Sequence, residues 1–393
     1  MAGKFSKIFL IVSALLVAHF VSALPVPSEQ HAAVEAGDVN GDGTVDIMDV
    51  VLVLRIVGNL ENTATIHLGA DVDGDGKIGM GEAIHALQAA AGLKGHPPID
   101  VPLNQFNIGD SIGEAEAANG TIGDPNHEKV WSTGYETGDS VESLNERFET
   151  ESATEYFENN AARDSIFNLA VSGSVMADFA AQAGGIVAAA DSAVPPDTAG
   201  MITILLGSND VCGASLDAMT DPADFEIHYR AGLEILAASE KTRGAFIHVS
   251  SIPAIYWLWN AKRNNFWCRV FAWPFVPCEN LLDSPGDDCL NETSRLDPDT
   301  VYDGDGPNCL RRKEFHARIR DIYNPLLQDV LLEYRDTGKL PNAYFIDVFA
   351  VQFEDVHIND GDCFHPSETG HALLSDRQWC RSRWGEDSSF CIP

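Results

Sequence analysis

The stretch Asn107-Ile108-Gly109-Asp110-Ser111-Ile112-Gly113 decides how the larger part of the chain reads. It sets a serine in a tight, glycine-flanked turn, where an extended apolar–polar run gives way to a helix-forming one. A strand-to-helix turn of this kind exposes a side-chain hydroxyl and aims backbone N–H groups at a bound oxyanion. The tripeptide recurs at Gly138-Asp139-Ser140, so Gly-Asp-Ser does not choose between the two serines.

Downstream of the turn, apolar strand-like runs alternate with helical spacing. Ile166 to Val171 is followed by an Ala-rich stretch, Val175 to Ala190, and Met201 to Leu206 by the amphipathic Ala223 to Ala238. Ala245 to Ser250 precedes helical spacing from Phe315 to Tyr334, and Ala343 to Val348 is the last clear strand. Such alternation predicts an α/β domain, a parallel sheet covered by helices on both faces, with ligands at the carboxyl ends of the strands. Four polar turns fall near those ends: Ser111, Gly173, Asn209 and the block Asp362-Cys-Phe-His365. A serine hydrolase needs a nucleophile, a histidine base, a group that orients the base and donors for the oxyanion. The four turns offer all of them.

This order of short blocks, from about residue 104 to the C-terminus, resembles the GDSL or SGNH hydrolase family. The resemblance implies a three-layer SGNH-hydrolase-like domain over 103–393, with Ser111 as nucleophile, His365 as general base and Asp362 holding the imidazole tautomer. The backbone N–H groups of Ser111 and Gly173 and the side-chain amide of Asn209 would then form the oxyanion hole. Between the two serines, the flanks decide. The run before Ser140, Val130 to Thr137, is too polar for a buried strand, and no glycine follows Ser140 at the second position. Trp131-Ser-Thr-Gly134, Asp139 and the helical Val141 to Phe148 resemble the phospholipase B-like branch of the family. On that likeness Ser140 belongs to an insertion that walls the site.

The N-terminal third reads differently. Lys4 and Lys7, the apolar run Ile8 to Val21 and the small-residue site Val21-Ser22-Ala23 predict a secretory signal over 1–23 and hence an extracellular or periplasmic location. Two acidic loops follow, and their shared spacing is the strongest repeat in the chain. The first carries Asp38, Asn40, Asp42, Gly43, Thr44, Asp46 and Asp49; the second carries Asp71, Asp73, Asp75, Gly76, Lys77 and Glu82. Oxygen side chains at loop positions 1, 3 and 5, a glycine at 6, a backbone carbonyl at 7 and an acid at 12 describe a calcium loop. The pattern over 36–95 resembles a dockerin, a small helical EF-hand-type module in which one helix follows each loop; here Val50 to Val57 and Ala83 to Leu93 are the expected helices. In dockerins, loop positions 10 and 11 help to recognise a cohesin partner. They are Ile47-Met48 and Met80-Gly81 here, unlike each other and unlike the usual hydroxyl pair, so an accessory calcium-stabilised module stands at least equal to a cohesin-docking one. Pro97, Pro98 and Pro102 mark a stiff linker at 96–102.

Composition narrows the partners. A formal net charge of −34 argues against nucleic acid and against constitutive adsorption to anionic lipid. All eight cysteines lie from Cys212 onward with no C-x-x-C pair, which reads as disulfides rather than a zinc site. Cys212 follows Asn209 and Cys363 lies between Asp362 and His365, so a Cys212–Cys363 bond is expected if both loops share a rim. Residues 255–312 break the alternation with clustered aromatics and four of the cysteines. Two readings stay open there, a disulfide-pinned excursion with its own aromatic core, or a lid or acyl-chain wall beside the active site. The acids Asp297, Asp299, Asp303 and Asp305 within it read as a turn rather than an ion site. The expected activity is a secreted carboxylic-ester hydrolase acting on lipid or small-molecule esters, with calcium as a structural cofactor and no catalytic one. The alternatives are a carbohydrate acetyl esterase and a calcium-dependent binding protein with an inactive hydrolase domain.

Overall fold

The computed structural model describes residues 37–385 except 59, 61–64, 73–76, 91–101, 103, 152–165 and 194–197, and also residue 391. The expected signal segment, the linker apart from Pro102, and the second-loop ligands Asp73 and Asp75 lie outside the described residues. The chain divides into two compact units, residues 1–99 and 100–393.

In the first unit the helices are Ile47–Val57 and Met80–Ala90, each starting three residues before the expected position. Capping explains the first start. The Asp46 carboxylate accepts the Met48 N–H at 2.7 Å, and Asp49 accepts the Asp46 N–H at 2.9 Å, closing a reciprocal box that satisfies otherwise orphaned donors. Both helices bury one stripe against a small core of Val39, Leu52, Val53, Ala70, Ile78 and Ala83.

The second unit is built on a five-stranded, wholly parallel sheet in the order β2-β1-β3-β4-β5. The strands are β1 Gln105–Gly109, β2 Ile166–Asn168, β3 Met201–Leu205, β4 Phe246–Ser250 and β5 Ala343–Ile346. Every residue of β1 and β3 is buried, which requires cover on both faces of the sheet and accounts for the nearly continuous apolar run of β3, while the polar Gln105 and Asn107 of β1 are hydrogen-bonded inside. Helices Phe179–Ala189, Pro222–Ala238, Asn324–Asp336 and Glu368–Arg381 supply much of that cover. The helical spacing expected over Phe315 to Tyr334 is two helices, Pro307–Arg318 and Asn324–Asp336, joined by a π-helical turn over Ile319–Tyr323. Pro325 sits in the first turn of the later helix, where its missing N–H costs nothing.

Strand order reverses about β1, whose neighbours β2 and β3 both follow it in sequence. The crevice beyond the carboxyl end of such a switch point is where open α/β sheets take their ligands.

The excursion is held by cross-links that differ from the expected one. Cys212 pairs with Cys278 and Cys268 with Cys363, so the Cys212–Cys363 bond is not formed. The segment between Cys268 and Cys278 runs between the two loops and bonds each of them, instead of leaving them to bond each other. Cys289–Cys309 and Cys380–Cys391 complete the set. The excursion has an aromatic core of its own and an exposed aromatic face. Trp257, Trp259 and Trp273 are buried, with the Arg312 guanidinium 4.1 Å from the Trp259 ring centre, whereas Phe266, Trp267, Phe271 and Phe275 are exposed. Three of the four acids singled out there find partners within the protein. Asp305 pairs with Lys313 at 3.0 Å, Asp297 accepts the Tyr302 hydroxyl, and Asp299 pairs with Arg320 and His316.

Candidate active site

The turn after β1 is shaped by its two glycines. A Cβ at Gly109 would lie 2.9 Å from the Leu205 carbonyl oxygen, and one at Gly113 would lie 2.7 Å from the Ala170 Cβ, so side chains at either position collide with a neighbouring strand end. Asn107 braces the turn from within. Its side-chain amide donates to the Gly113 carbonyl at 3.0 Å, and its oxygen accepts the Thr203 hydroxyl at 2.9 Å. Asn168 at the end of β2 donates to the same Gly113 carbonyl at 2.7 Å.

Gln182 holds the end of β1 from above. Its amide oxygen accepts the Gly109 N–H at 3.0 Å, and its amide N–H groups reach the Gly109 carbonyl at 2.9 Å and the Ser174 hydroxyl at 3.0 Å. Ser174 in turn accepts the Asn209 side-chain N–H on its carbonyl at 2.9 Å. Asp210 accepts the Met176 N–H at 2.7 Å. One polar chain thus links the Ser111 turn, the Gly173 turn and the Asn209 turn, which follow three neighbouring strands. Gly173 has φ +80° with open space around a notional Cβ, so glycine is needed there for its backbone angle and not for room. Asn209 lies in a single helical turn, Ser208–Val211, entered through Gly207 at φ +120°.

The histidine block takes a longer route. It follows β5, which is separated from β1 by β3 and β4, so the chain must cross back over the carboxyl edge. Ile358 and Pro366 form an antiparallel bridge, the Asn359 N–H donates to the His365 carbonyl at 2.9 Å, and the Asn359 side chain donates to the Ala117 carbonyl. The excursion clamps the same loop through Cys268–Cys363, Trp267 to the Gly361 carbonyl at 3.0 Å, Trp273 to the Cys363 carbonyl at 3.0 Å, and the buried Lys262 to Asp360 at 2.6 Å.

Within that loop the His365 Nδ1 lies 2.8 Å from Asp362 Oδ2, and Asp362 Oδ1 accepts the backbone N–H groups of Phe364 and His365 at 2.9 and 3.2 Å. An imidazole held at Nδ1 by a carboxylate keeps Nε2 for exchange with substrate. Burial alone would pull this imidazole down. The hydrogen bond and charge of Asp362, with smaller contributions from Glu116 and Asp110, carry it above the ordinary histidine range. Asp110 is wholly buried; its Oδ1 accepts the Ile112 N–H at 2.9 Å in a local turn. Burial pushes its carboxyl up to about 7, with Asp210 adding to the rise and the Ile112 N–H and His365 opposing it.

Ser111, Ser208, Asn209 and His365 line one cavity, whose other walls are Ile112, Cys212, Pro253, Ile255, Leu258, Phe353, Ile358, Phe364 and Pro366. Asp362 stands behind His365, and Gly173 is not among the lining residues. Ser140 is elsewhere: exposed, its hydroxyl donating to Glu368 at 2.8 Å, with Lys129 bonded to the same carboxylate group. The sequence reading missed Gln182 and the pair Glu114 and Glu116. Gln182 had a signal, as the lone polar side chain inside the apolar helix Phe179–Ala189. The two glutamates had none beyond their nearness to Ser111. Their carboxylates face the Gly173 turn, Glu114 accepting the Ser172 N–H at 2.9 Å and Glu116 the Ser172 hydroxyl.

In the other unit, the first acidic loop places Asp38 and Asp49 almost wholly out of solvent. Asp38 accepts the N–H groups of Gly41, Asp42 and Gly43 at 2.8, 3.1 and 2.9 Å, and Asp49 those of Asn40 and Asp46. Gly43 has φ +89°, the left-handed angle that the sixth loop position demands. Buried carboxylates grouped with Asn40, Asp42 and the backbone of Thr44 make an all-oxygen donor set that fits a hard divalent cation. In the second loop Glu82, also buried, accepts the Val72 and Gly79 N–H groups, as Asp49 does in the first.

Comparison with known families agrees with both units. Residues 36–83 match the dockerin type I domain model, and residues 106–377 match the GDSL-like lipase/acylhydrolase model. Comparison with curated proteins gives no match. Because the second match covers well over half the chain, and the parallel sheet with its strand-end turns agrees with it, this chain belongs to the GDSL-like lipase/acylhydrolase family.

Proposed function

We propose that this protein is an exported carboxylic-ester hydrolase working through a Ser111–His365–Asp362 acyl-enzyme, with lipid-like acyl esters as substrates. The observation that carries the reading is the shared cavity, which Ser111, Ser208, Asn209 and His365 line among otherwise apolar walls. Ser111 Oγ attacks the ester carbonyl while His365 Nε2 takes its proton, and Asp362 holds the imidazolium through Nδ1. The tetrahedral oxyanion is received by the backbone N–H groups of Ser111 and Gly173 and by the Asn209 amide. That amide spends one N–H on Ser174 and keeps the other. Collapse returns the proton from Nε2 to the departing alcohol, leaving the acyl group on Ser111. Water, activated by His365 in the same way, then releases the acid.

The apolar walls favour an acyl chain over a bare acetyl group. The exposed rings point the same way. Trp267 and Phe271 stack on each other with centres 5.1 Å apart, and Phe266 meets Phe271 edge-on, so the rings form a knob and not the flat platform on which sugar rings stack. A second reading, an esterase acting on acylated polysaccharide, is favoured by the dockerin type I match. A panel of p-nitrophenyl esters, phospholipids and acetylated oligosaccharides separates them. Medium-chain esters as the best substrates support the first reading, and acetylated sugars alone would replace it with the second.

We infer that calcium is structural, held by Asp38, Asn40, Asp42, Thr44 and Asp49 with Asp46 at the ninth loop position, and by Asp71, Asp73, Asp75, Lys77 through its carbonyl, and Glu82. A bound ion there neutralises buried carboxylates and takes no part in ester hydrolysis. A cohesin partner is consistent with the dockerin match, although the residues at positions 10 and 11 speak against the usual pairing. The signal-like N-terminus and four disulfides support export. Among the described residues, no helix is long and apolar enough to cross a membrane.

A further inference from the structure

The segment just after the nucleophile turn is strained. Ala115 and Ala117, both wholly buried, have φ of +50° and +61°, a region that alanine rarely adopts. Surrounding hydrogen bonds impose it: Glu116 N–H to the Ser111 carbonyl at 3.0 Å, Asn126 N–H to the Glu114 carbonyl at 2.9 Å, Ala117 N–H to the Asp124 carbonyl at 2.9 Å, and the Asn359 side chain to the Ala117 carbonyl. Strain of this kind persists where the surroundings over-determine it, and it clusters at functional sites.

Its consequence here is where the two intervening side chains go. Glu114 and Glu116 turn to one side and grip Ser172, the residue before Gly173, by its N–H and its hydroxyl. The Glu116 carboxylate also lies 3.9 Å from His365 Nε2, the nitrogen that faces the substrate. One short segment therefore touches the nucleophile turn, the Gly173 turn and the histidine loop.

We propose that Glu116, supported by Glu114, is a positioning residue that holds the Gly173 oxyanion turn and the His365 imidazole in one frame. The inference rests on the Ser111–His365 reading above. Tied to Ser172, the Glu116 charge stays beside the imidazole, where it stabilises the imidazolium that forms as Ser111 loses its proton. The other groups that face His365 are Asp362 on its own loop, Asp110 beside the nucleophile and the buried His371 on the helix that follows.

Two substitutions separate the two roles. Glu116→Gln keeps an oxygen for the Ser172 hydroxyl but removes the charge. It lowers kcat by about tenfold with KM little changed, and moves the acid limb of the kcat/KM profile to lower pH, because the imidazolium loses a stabilising neighbour. Ser172→Ala keeps the charge and releases the turn, lowering kcat while the acid limb stays in place. If Glu116→Gln leaves kcat and the acid limb at wild-type values while Ser111→Ala is inactive, the positioning role is overturned and the hydrolase reading stands. If Ser111→Ala remains active, both fall. Should Glu116→Gln fail to fold, Glu116→Asp decides: a kcat loss with an unmoved acid limb supports the proposal, and wild-type kcat overturns it.

Discussion

The two units stay folded by different means. The N-terminal unit has a core of a few small aliphatic residues and no cysteine, and among its described residues the most buried polar groups are the carboxylates Asp38, Asp49 and Glu82. The hydrolase unit has a parallel sheet whose strands β1 and β3 are wholly buried, buried charges that pair with its own residues, such as Lys313 with Asp305, and all four disulfides. A domain this small seldom buries enough apolar surface to fold alone, and metals or disulfides commonly make up the difference. On the proposed reading the first unit depends on an ion and the second on its disulfides, and export would meet both conditions.

The sharpest way to break the comparison is through activity. Ser111→Ala should reduce hydrolysis of a short p-nitrophenyl ester by at least about 10³-fold, and Ser140→Ala should leave most of it. Neither should change the calcium-dependent part of the melting curve. The opposite ranking of the two serines would move the nucleophile to Ser140.

Chelation comes next. Calorimetry of the full chain with EDTA should lose or strongly lower one transition, while ester hydrolysis remains within about twofold of its calcium-loaded rate, because a ligand stabilises only the state that binds it. Two transitions unchanged by chelator would refute the metal reading of the acidic loops.

Oxidation should affect only the other unit. Replacing Cys268 and Cys363 together by serine should lower the stability of the hydrolase unit by about 2–4 kcal/mol. Activity should fall as well, because the bond anchors the loop that carries His365. Unaltered denaturant midpoint and rate would mean that Trp267, Trp273 and Lys262 hold the loop without it.

The last comparison concerns pH. In the unfolded chain the Asp110 carboxyl ionises near 4, but in the folded protein it is raised to about 7. Folding therefore favours its neutral form, and the resulting penalty grows as pH rises from about 4 to 7 and is complete above that. Asp110→Asn should raise the melting temperature at pH 8 and leave it nearly unchanged at pH 4. Equal shifts at both pH values would show that the substitution acts through packing.

The legible parts share a cause. The strands β3 and β4 appeared as apolar runs because both their faces are largely covered, and the two acidic loops as fixed spacings because their donor residues lie within twelve positions of one another. Ser111 was separable from Ser140 by its flanks, because a buried strand must precede a strand-end turn. The helix starts at Ile47 and Met80 were harder, since capping by Asp46 and Asp49 extends the first helix into the loop. The expected Cys212–Cys363 bond was wrong because nearness in the catalytic blocks says nothing of the segment that passes between them. Cys212–Cys278 spans 66 residues and Cys268–Cys363 spans 95.

By itself, then, the sequence determined what near neighbours can encode. Strand and helix periods, glycines at left-handed or crowded positions, calcium-ligand spacing and the polar turns at strand ends all belong to that class. The order β2-β1-β3-β4-β5 was left to the tertiary structure, and with it the return of the His365 loop across the sheet to the Ser111 end. So were the partners of the cysteines, the clamp of Gln182 on Gly109, and the reach of Glu114 and Glu116 to Ser172. These contacts join residues far apart in the chain, and they form only once the sheet's burial has decided which loops share an edge.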